Sequence, residues 1–180
     1  MGGLAQINCM KQFTQFGMQK EMALGGALFE LESIRAVPAD AQSGTWAMEW
    51  WWNQPNVPEV VSYVADFRKA TGKTPSARHW FALVAVESVR LAAEKAKTLD
   101  GPKMSRALEG LELPPDVALS AGKAFYRAGD HQLMADIFVG DVHPPKGGNA
   151  DDVFTVSSAV TGETAAGPVE ATGCKMVHPT

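Results

Sequence analysis

Two short apolar runs near the start of the chain predict neighbouring strands of one sheet. Residues 22–29 form the first run, and the pair Gly25 and Gly26 within it indicates close approach of another backbone segment to a buried strand. Residues 43–52 alternate in polarity with the period of two that a strand requires. Between them, residues 31–37 have room for a helical turn or two. This order of strand, helix and strand favours a parallel α/β layer.

Helical patterns flank these strands. Asn8 can cap an opening helix, in which Met10 and Phe13 lie on neighbouring turns and which Gly17 ends. Asn56 followed by Glu59 predicts a capping box at the start of a second helix.

A further helix follows in the middle third of the chain. Ser76 predicts its N-cap, and residues 80–86 are apolar on nearly every side. An α-helix of that composition is expected to be buried on several faces.

The last third changes to strand patterns. Residues 122–142 predict a β-hairpin with its turn near Asp130, and residues 153–160 predict a final strand. We therefore divide the chain into four segments: a βα segment over 1–53, a helical segment over 54–121, the hairpin and final strand over 122–162, and an irregular tail over 163–180.

Composition narrows the functional classes. The 180 residues are 46% hydrophobic, which is enough for one sizeable core. A net charge of −4 gives no basic face for nucleic acid, and no apolar run approaches the roughly 18 residues of a membrane span. Residues 1–5 lack the basic and apolar stretches of a signal peptide. Cys9 and Cys174 allow either one disulfide or two free thiols.

Four segments, in order, resemble the C-terminal half of periplasmic solute-binding proteins of the branched-chain amino acid ABC-transporter type. They are residues 8–17 (NCMKQFTQFG), 43–53 (SGTWAMEWWWN), 75–86 (PSARHWFALVAV) and 122–132 (GKAFYRAGDHQ). The resemblance implies an α/β fold that is a partial type I periplasmic-binding-protein fold, with a small parallel sheet, flanking helices and a β-hairpin. Such proteins have two lobes and about twice this length, and the segment 54–121 corresponds to the part that returns to their first lobe.

The function implied by this resemblance is non-catalytic capture of a small organic solute, in the periplasm, for an ABC-transporter permease and without a cofactor. A half-fold also exposes apolar surface, from which we expect a homodimer. Two alternatives stay open at this stage: a ligand-sensing domain of a receptor or regulator, and a metal-dependent hydrolase.

Carried over by position, the resemblance implies five solute-contacting residues in the cleft between the lobes. They are Leu28, Phe29, Trp50, Trp51 and His79. Open α/β sheets bind ligands at the carboxyl ends of their strands, and indole rings suit flat apolar ligands. For each residue the alternative is a place in the core, or for His79 a helix cap.

The presence or absence of an acidic residue in the cleft indicates which class of solute the site binds. Better-known members of the family have an acidic residue that meets a ligand ammonium group, whereas the nearest acid here, Glu30, does not clearly match in register. This mismatch favours an aromatic or apolar carboxylate over an amino acid.

The hydrolase alternative depends on a group of aspartates and histidines near the hairpin. They are Asp130, His131, Asp136, Asp141 and His143. Such residues bind a divalent metal if the hairpin brings them together. However, Asp130 falls at a predicted turn, and Asp136 and Asp141 face opposite sides of a regular strand.

Overall fold

A computed structural model describes residues 2–176, which form a mixed four-stranded sheet with helices packed around it. The strands are β1 (Gly25–Ala27), β2 (Thr45–Met48), β3 (Phe125–Tyr126), β4 (Leu133–Met134), β5 (Ile137–Val142) and β6 (Phe154–Val160). The helices are α1 (Gly3–Gln15), α2 (Leu31–Arg35), α3 (Pro58–Thr71), α4 (Ala77–Ala96), α5 (Gly101–Leu108), α6 (Pro115–Ala118), α7 (Gly162–Ala166) and α8 (Val169–Thr172).

The main sheet has the strand order β1-β2-β5-β6. β1 and β2 run parallel around α2, which confirms the predicted βαβ layer. β5 and β6 join antiparallel, with Thr45 of β2 opposite Asp141 of β5, so the sheet is mixed rather than wholly parallel. The predicted hairpin is present as β3 and β4, and the chain then continues directly into β5.

Glycine allows β1 to approach β2 closely. A Cβ atom on Gly25 would lie 2.5 Å from the carbonyl oxygen of Thr45, so a larger residue would force the strands apart. This observation confirms the close approach predicted from the glycine pair. The predicted burial of the strand is wrong, because β1 is the edge of the sheet and all three of its residues are exposed.

Two apolar clusters form the interior. The sheet core consists of Met10, Phe29, Leu31, Ile34, Val37, Ala41, Trp46, Met48, Trp51, Phe138, Val142, Val153 and Phe154. The helical core consists of Trp50, Val57, Val60, Val64, Ala77, Trp80, Val84, Leu113, Val117, Ala118, Leu119 and Ala124. The chain passes from the first cluster to the second at the end of β2.

The predicted helices are present, with three corrections. Helix α1 begins at Gly3 after an N-cap at Gly2, so Asn8 lies inside the helix and does not cap it. Val57, not Asn56, is the N-cap of α3, because Asn56 takes a left-handed backbone conformation with φ of 61°. Helix α4 begins after Ser76 as predicted, but it is buried on one side only. Its opposite face exposes Val86 and Val89, at 69% and 59% of their surface.

The end of the described chain is partly helical. α7 and α8 lie where we predicted an irregular tail, and residues 177–180 of that segment lie outside the described residues. Cys9 and Cys174 are both free and exposed, which answers the question of a disulfide between them. Within residues 2–176, no helix combines the length and the apolarity needed to cross a bilayer.

Candidate functional site

A narrow crevice lies at the carboxyl ends of the two parallel strands, where α/β sheets commonly bind ligands. We call it the strand-end crevice. It is lined by Phe29, Glu30, Leu31, Met48, Glu49, Trp50, Trp51 and Ala77. Its volume of about 10 Å³ has room for one water molecule at most. The predicted residues Phe29, Trp50 and Trp51 are therefore together at one place, in a crevice that is closed in this structure.

Leu28 follows the end of β1, and the residue is 49% exposed. Its backbone adopts φ of 62°, and its N–H donates to the Ala47 carbonyl at 2.9 Å. Phe29 turns in the opposite direction, is fully buried and packs against the Trp46 ring at a centroid distance of 4.7 Å. Of the two neighbours, only Leu28 offers its side chain to solvent.

The two tryptophans that line the crevice belong to different cores. Trp50 is buried in the helical core, and its Nε1–H donates to the Leu119 carbonyl at 3.0 Å. Trp51 is buried in the sheet core, with its ring 5.1 Å from that of Phe154. Within residues 2–176 the Trp51 Nε1–H has no hydrogen-bond acceptor. An unsatisfied buried donor of this kind costs roughly 1–3 kcal/mol.

His79 is the third residue of α4 and forms a capping box with Ser76. The Ser76 backbone N–H donates to His79 Nδ1 at 3.0 Å, which makes Nδ1 an acceptor and leaves Nε2 to carry the ring proton. The imidazole also packs edge-on against Phe67, at a centroid distance of 4.8 Å. The cap that we considered as the alternative role of His79 is therefore present.

An acid does reach the crevice. Glu30 lines it, and its Oε1 lies 2.7 Å from Arg78 Nη2 at the start of α4. Burial raises the pKa of Glu30, the Arg78 charge opposes that rise, and the carboxylate of Glu49 adds to it. The sequence did not assign this pair, because Glu30 and Arg78 are far apart in the chain.

The residues of the hydrolase alternative do not come together. Asp136 accepts bonds from the Ser120 hydroxyl and the Gly122 backbone N–H, whereas Asp141 accepts from Thr45. The others each have partners of their own: Asp130 with Arg127, His131 with Glu109, and His143 with Thr155. No group of three metal-binding side chains occurs anywhere in the part of the chain that the structure describes.

The structure has a second, larger cavity, which no pattern in the sequence predicted. It is lined by Arg35, Arg68, Lys73 and Asp151, which come from three separate stretches of the chain. The only local signal was the loop around Gly147, Gly148 and Asn149, which has the composition of a loop but does not indicate what it faces.

Comparison with known proteins identifies the family of this chain. A family model described as "Periplasmic binding protein" matches residues 1–149. A comparison with curated protein sequences finds no significant match.

Solved structures share the fold. An amino acid ABC transporter substrate-binding protein from Pseudomonas fluorescens Pf-5 is 22% identical, with a TM-score of 0.81 over 97% of this chain and 45% of that one. A branched chain amino acid ABC transporter periplasmic ligand-binding protein from Burkholderia xenovorans LB400 is 22% identical, with a TM-score of 0.79, over 95% of this chain and 45% of that one. A solute binding protein of an ABC transporter from Rhodopseudomonas palustris BisB5, in complex with 3,4-dihydroxy benzoic acid, is 17% identical. Its TM-score is 0.69, over 86% of this chain and 42% of that one.

The chain thus spans less than half the length of these neighbours, which have the type I periplasmic binding fold. The match of the family model covers most of the chain and agrees with the resemblance in its sequence. The chain belongs to the periplasmic binding protein family.

Proposed function

We propose that this chain provides one side of the solute site of an ABC-transporter binding protein and acts without catalysis. The observation that carries the proposal is the match to the periplasmic binding protein family over residues 1–149. A crevice at the carboxyl ends of parallel strands is also where the fold class would bind a ligand.

The proposed contact residues are Leu28, Phe29, Trp50, Trp51 and His79. Phe29, Trp50 and Trp51 line the crevice, whereas Leu28 provides exposed apolar surface next to Phe29 and, like His79, is not part of the lining. The Trp51 Nε1–H, which has no acceptor among the described residues, is a buried donor that a solute oxygen would satisfy once the crevice opens. Solute entry would thus require the crevice to widen, as in a hinge motion.

The solute we propose is a small organic carboxylate, either an amino acid or an aromatic or apolar acid. Glu30 lines the crevice and provides negative charge for an ammonium group, and Arg78, which contacts Glu30 from outside the lining, provides positive charge for a carboxylate. The pair therefore supports the amino acid more than the sequence alone did. The structural neighbours include both an amino acid ABC transporter substrate-binding protein and a solute binding protein in complex with 3,4-dihydroxy benzoic acid.

Affinity in this chain alone should be weak. The chain spans about 45% of neighbours that are complete binding proteins, so it contributes only part of the walls of a cleft. We expect dissociation constants of about 10 µM to 1 mM, against the tighter binding of a cleft closed on both sides.

Isothermal titration of the chain with leucine, phenylalanine, benzoate and 3,4-dihydroxybenzoate tests this proposal. We expect Leu28→Ser to weaken binding of the preferred solute by about threefold to tenfold, because it removes apolar contact area. Leu99→Ser is the matched control, since Leu99 is 84% exposed and lies outside the crevice.

Three results would count against this function. Sub-micromolar binding to a proven monomer contradicts the incomplete cleft. Equal losses in the Leu28 and Leu99 variants contradict the location of the site. Absence of saturable binding to every member of the panel contradicts the proposed class of solute.

The proposed partner is an ABC-transporter permease, and the proposed location is the periplasm, as in the importers of this family. Capture of a permease in a pull-down supports transport, whereas capture of a signalling protein would favour the sensing alternative. The homodimer predicted from exposed apolar surface has no support from the comparisons. Gel filtration that gives a monomer at high concentration would contradict it.

A further inference from the structure

The second cavity, which we call the basic cavity, has a volume of about 610 Å³. It is lined by Arg35, Arg68, Gly72, Lys73, Thr74, Gly148, Asn149 and Asp151. It shares no residue with the strand-end crevice. Its volume is within the range of small-molecule sites, roughly 300–1,000 Å³, and it is open enough for a ligand to enter without rearrangement.

Asp151 organises the wall of this cavity. Arg35 Nε donates to Asp151 Oδ1 at 2.7 Å, and the Thr74 hydroxyl donates to Asp151 Oδ2. Arg68 completes the chain of bonds, because its Nε and Nη2 donate to Thr74 Oγ1 at 3.1 and 3.0 Å. Two guanidinium groups are therefore held in place around a single carboxylate.

Trp52 fixes the position of Arg68 from the other side. The Arg68 guanidinium lies over the Trp52 ring at 4.6 Å, and the Trp52 Nε1–H donates to the backbone carbonyl of Asp151 at 3.2 Å. A stacked guanidinium keeps its planar array of donors in one orientation. Trp52, the third of three consecutive tryptophans, thus packs at this cavity rather than in the strand-end crevice.

The charges in the lining do not balance. Arg35, Arg68 and Lys73 contribute +3 and Asp151 contributes −1, which leaves +2 in a chain whose net charge is −4. Burial alone would raise the pKa of Asp151, but bonds from Thr74 and Arg35 and the charge of Arg68 outweigh it and lower that pKa. Asp151 is consequently charged at neutral pH, and it is the one acid among the described residues that line the cavity.

Two donor groups of the cavity, the Lys73 ammonium and Arg68 Nη1, indicate which kind of ligand it binds. Within residues 2–176 the Lys73 ammonium makes no hydrogen bond or ion pair, and Arg68 Nη1 is not used in the bonds to Thr74. A guanidinium edge and an ammonium group are the donors that recognise phosphate and carboxylate oxygens. We propose that the basic cavity binds a doubly charged small oxyanion, of the phosphate monoester or dicarboxylate class.

This site is independent of the solute function proposed above. It is lined by the end of α2, the last turn of α3 with the loop that follows it, and the loop before β6, whereas the solute site is at the ends of β1 and β2. An anion here would also link those three pieces through their side chains, so its binding should raise the thermal stability of the chain.

The test is isothermal titration of the whole chain at low ionic strength with inorganic phosphate and, separately, with malonate. We expect saturable binding of one equivalent. Lys73→Gln should weaken it by about fivefold and Arg68→Gln by about tenfold, because each removes a charge-assisted contact. Lys69→Gln is the control of equal charge, because Lys69 is exposed on α3 but does not line the cavity. We expect it to change affinity by less than about twofold.

The two probes distinguish the sources of the oxyanion. Tighter phosphate binding indicates a phosphate ester, tighter malonate binding indicates a dicarboxylate, and either supports the shared chemistry. Because Arg68 also holds Thr74, its variant is checked by thermal melting, and the Lys73 variant decides the matter if Arg68→Gln unfolds. No saturable binding of either probe, or equal losses in the Lys69 and Lys73 variants, would overturn the proposal. Displacement of phosphate by leucine would overturn the separation of the two sites.

Discussion

Two apolar stretches of this chain look alike in sequence but differ in what surrounds them. We call residues 50–52, three consecutive indoles, the aromatic tract, and residues 80–86 together with Val89 the apolar run of α4. Trp50 and Trp51 are buried in separate cores, and Trp52 packs under Arg68. In the apolar run of α4, only one face is covered, while Val86 and Val89 on the other face are exposed.

The difference lies in geometry rather than in hydrophobicity. The tract leaves the end of a strand, where successive side chains point in different directions and each one finds its own packing partners. A helix instead repeats every 3.6 residues, so Trp80, Val84 and Ser88 share the buried face and Val86 and Val89 share the opposite one. An apolar run therefore predicts burial only on the face that meets another element.

The largest expected effect concerns the tract. Trp50→Ala should lower the free energy of unfolding by about 3–5 kcal/mol, because it leaves a cavity in the helical core and removes the donor to the Leu119 carbonyl. Urea denaturation followed by circular dichroism measures this change. Trp50→Phe is the control that keeps most of the ring, and it should cost less than half as much. A loss below about 1 kcal/mol for Trp50→Ala would contradict the packing described here.

A smaller loss of stability is expected at Asp151, whose backbone carbonyl accepts a hydrogen bond from Trp52. Its folded-state pKa is lowered from the ordinary value of 3.8, so its contribution to stability is present above that value and is lost as the pH falls through the folded-state pKa. Asp151→Asn should therefore cost about 1–2 kcal/mol at pH 7 and very little under strongly acidic conditions. Urea denaturation at both pH values measures the difference.

The neighbouring carboxylate provides the control for this experiment. Asp152 makes no side-chain hydrogen bond or ion pair within the described residues, and Asp152→Asn should leave stability nearly unchanged at either pH. A loss at neutral pH of equal size in both variants would show that general charge, not the bonds of Asp151, is responsible.

The smallest effect is expected on the exposed face of α4. The double variant Val86→Thr and Val89→Thr should change the free energy of unfolding by less than about 0.5 kcal/mol, because both positions are in water already. Val84→Thr, on the buried face, should cost about 1–3 kcal/mol, since it places a hydroxyl in the helical core. Equal losses in the two cases would mean that both faces of α4 are covered in solution.

The sequence predicted those features that depend on neighbours in the chain. The close approach at Gly25 and the cap at Ser76 each follow from a few adjacent residues, and the structure has both. The predicted cap at Asn56 failed because that residue takes a turn conformation instead, and Val57 begins the helix.

Features that depend on distant residues were not predicted. Asp151 meets Arg35 across 116 residues and Thr74 across 77, and no local pattern marks either contact. The alternation expected through residue 52 also failed, because β2 ends at Met48 and the following indoles are outside the regular strand. The five predicted contact residues stay a prediction, since only a solute can test them.

The pairing of β2 with β5 has a consequence for how this protein is made. Thr45 and Asp141 are 96 residues apart, and they stand opposite each other in the finished sheet. At translation rates of roughly 5–20 residues per second, β2 emerges about 5–20 s before its partner is synthesised. During that interval one edge of β2 has no native strand to bond, and the nascent chain is open to wrong pairings until β5 arrives.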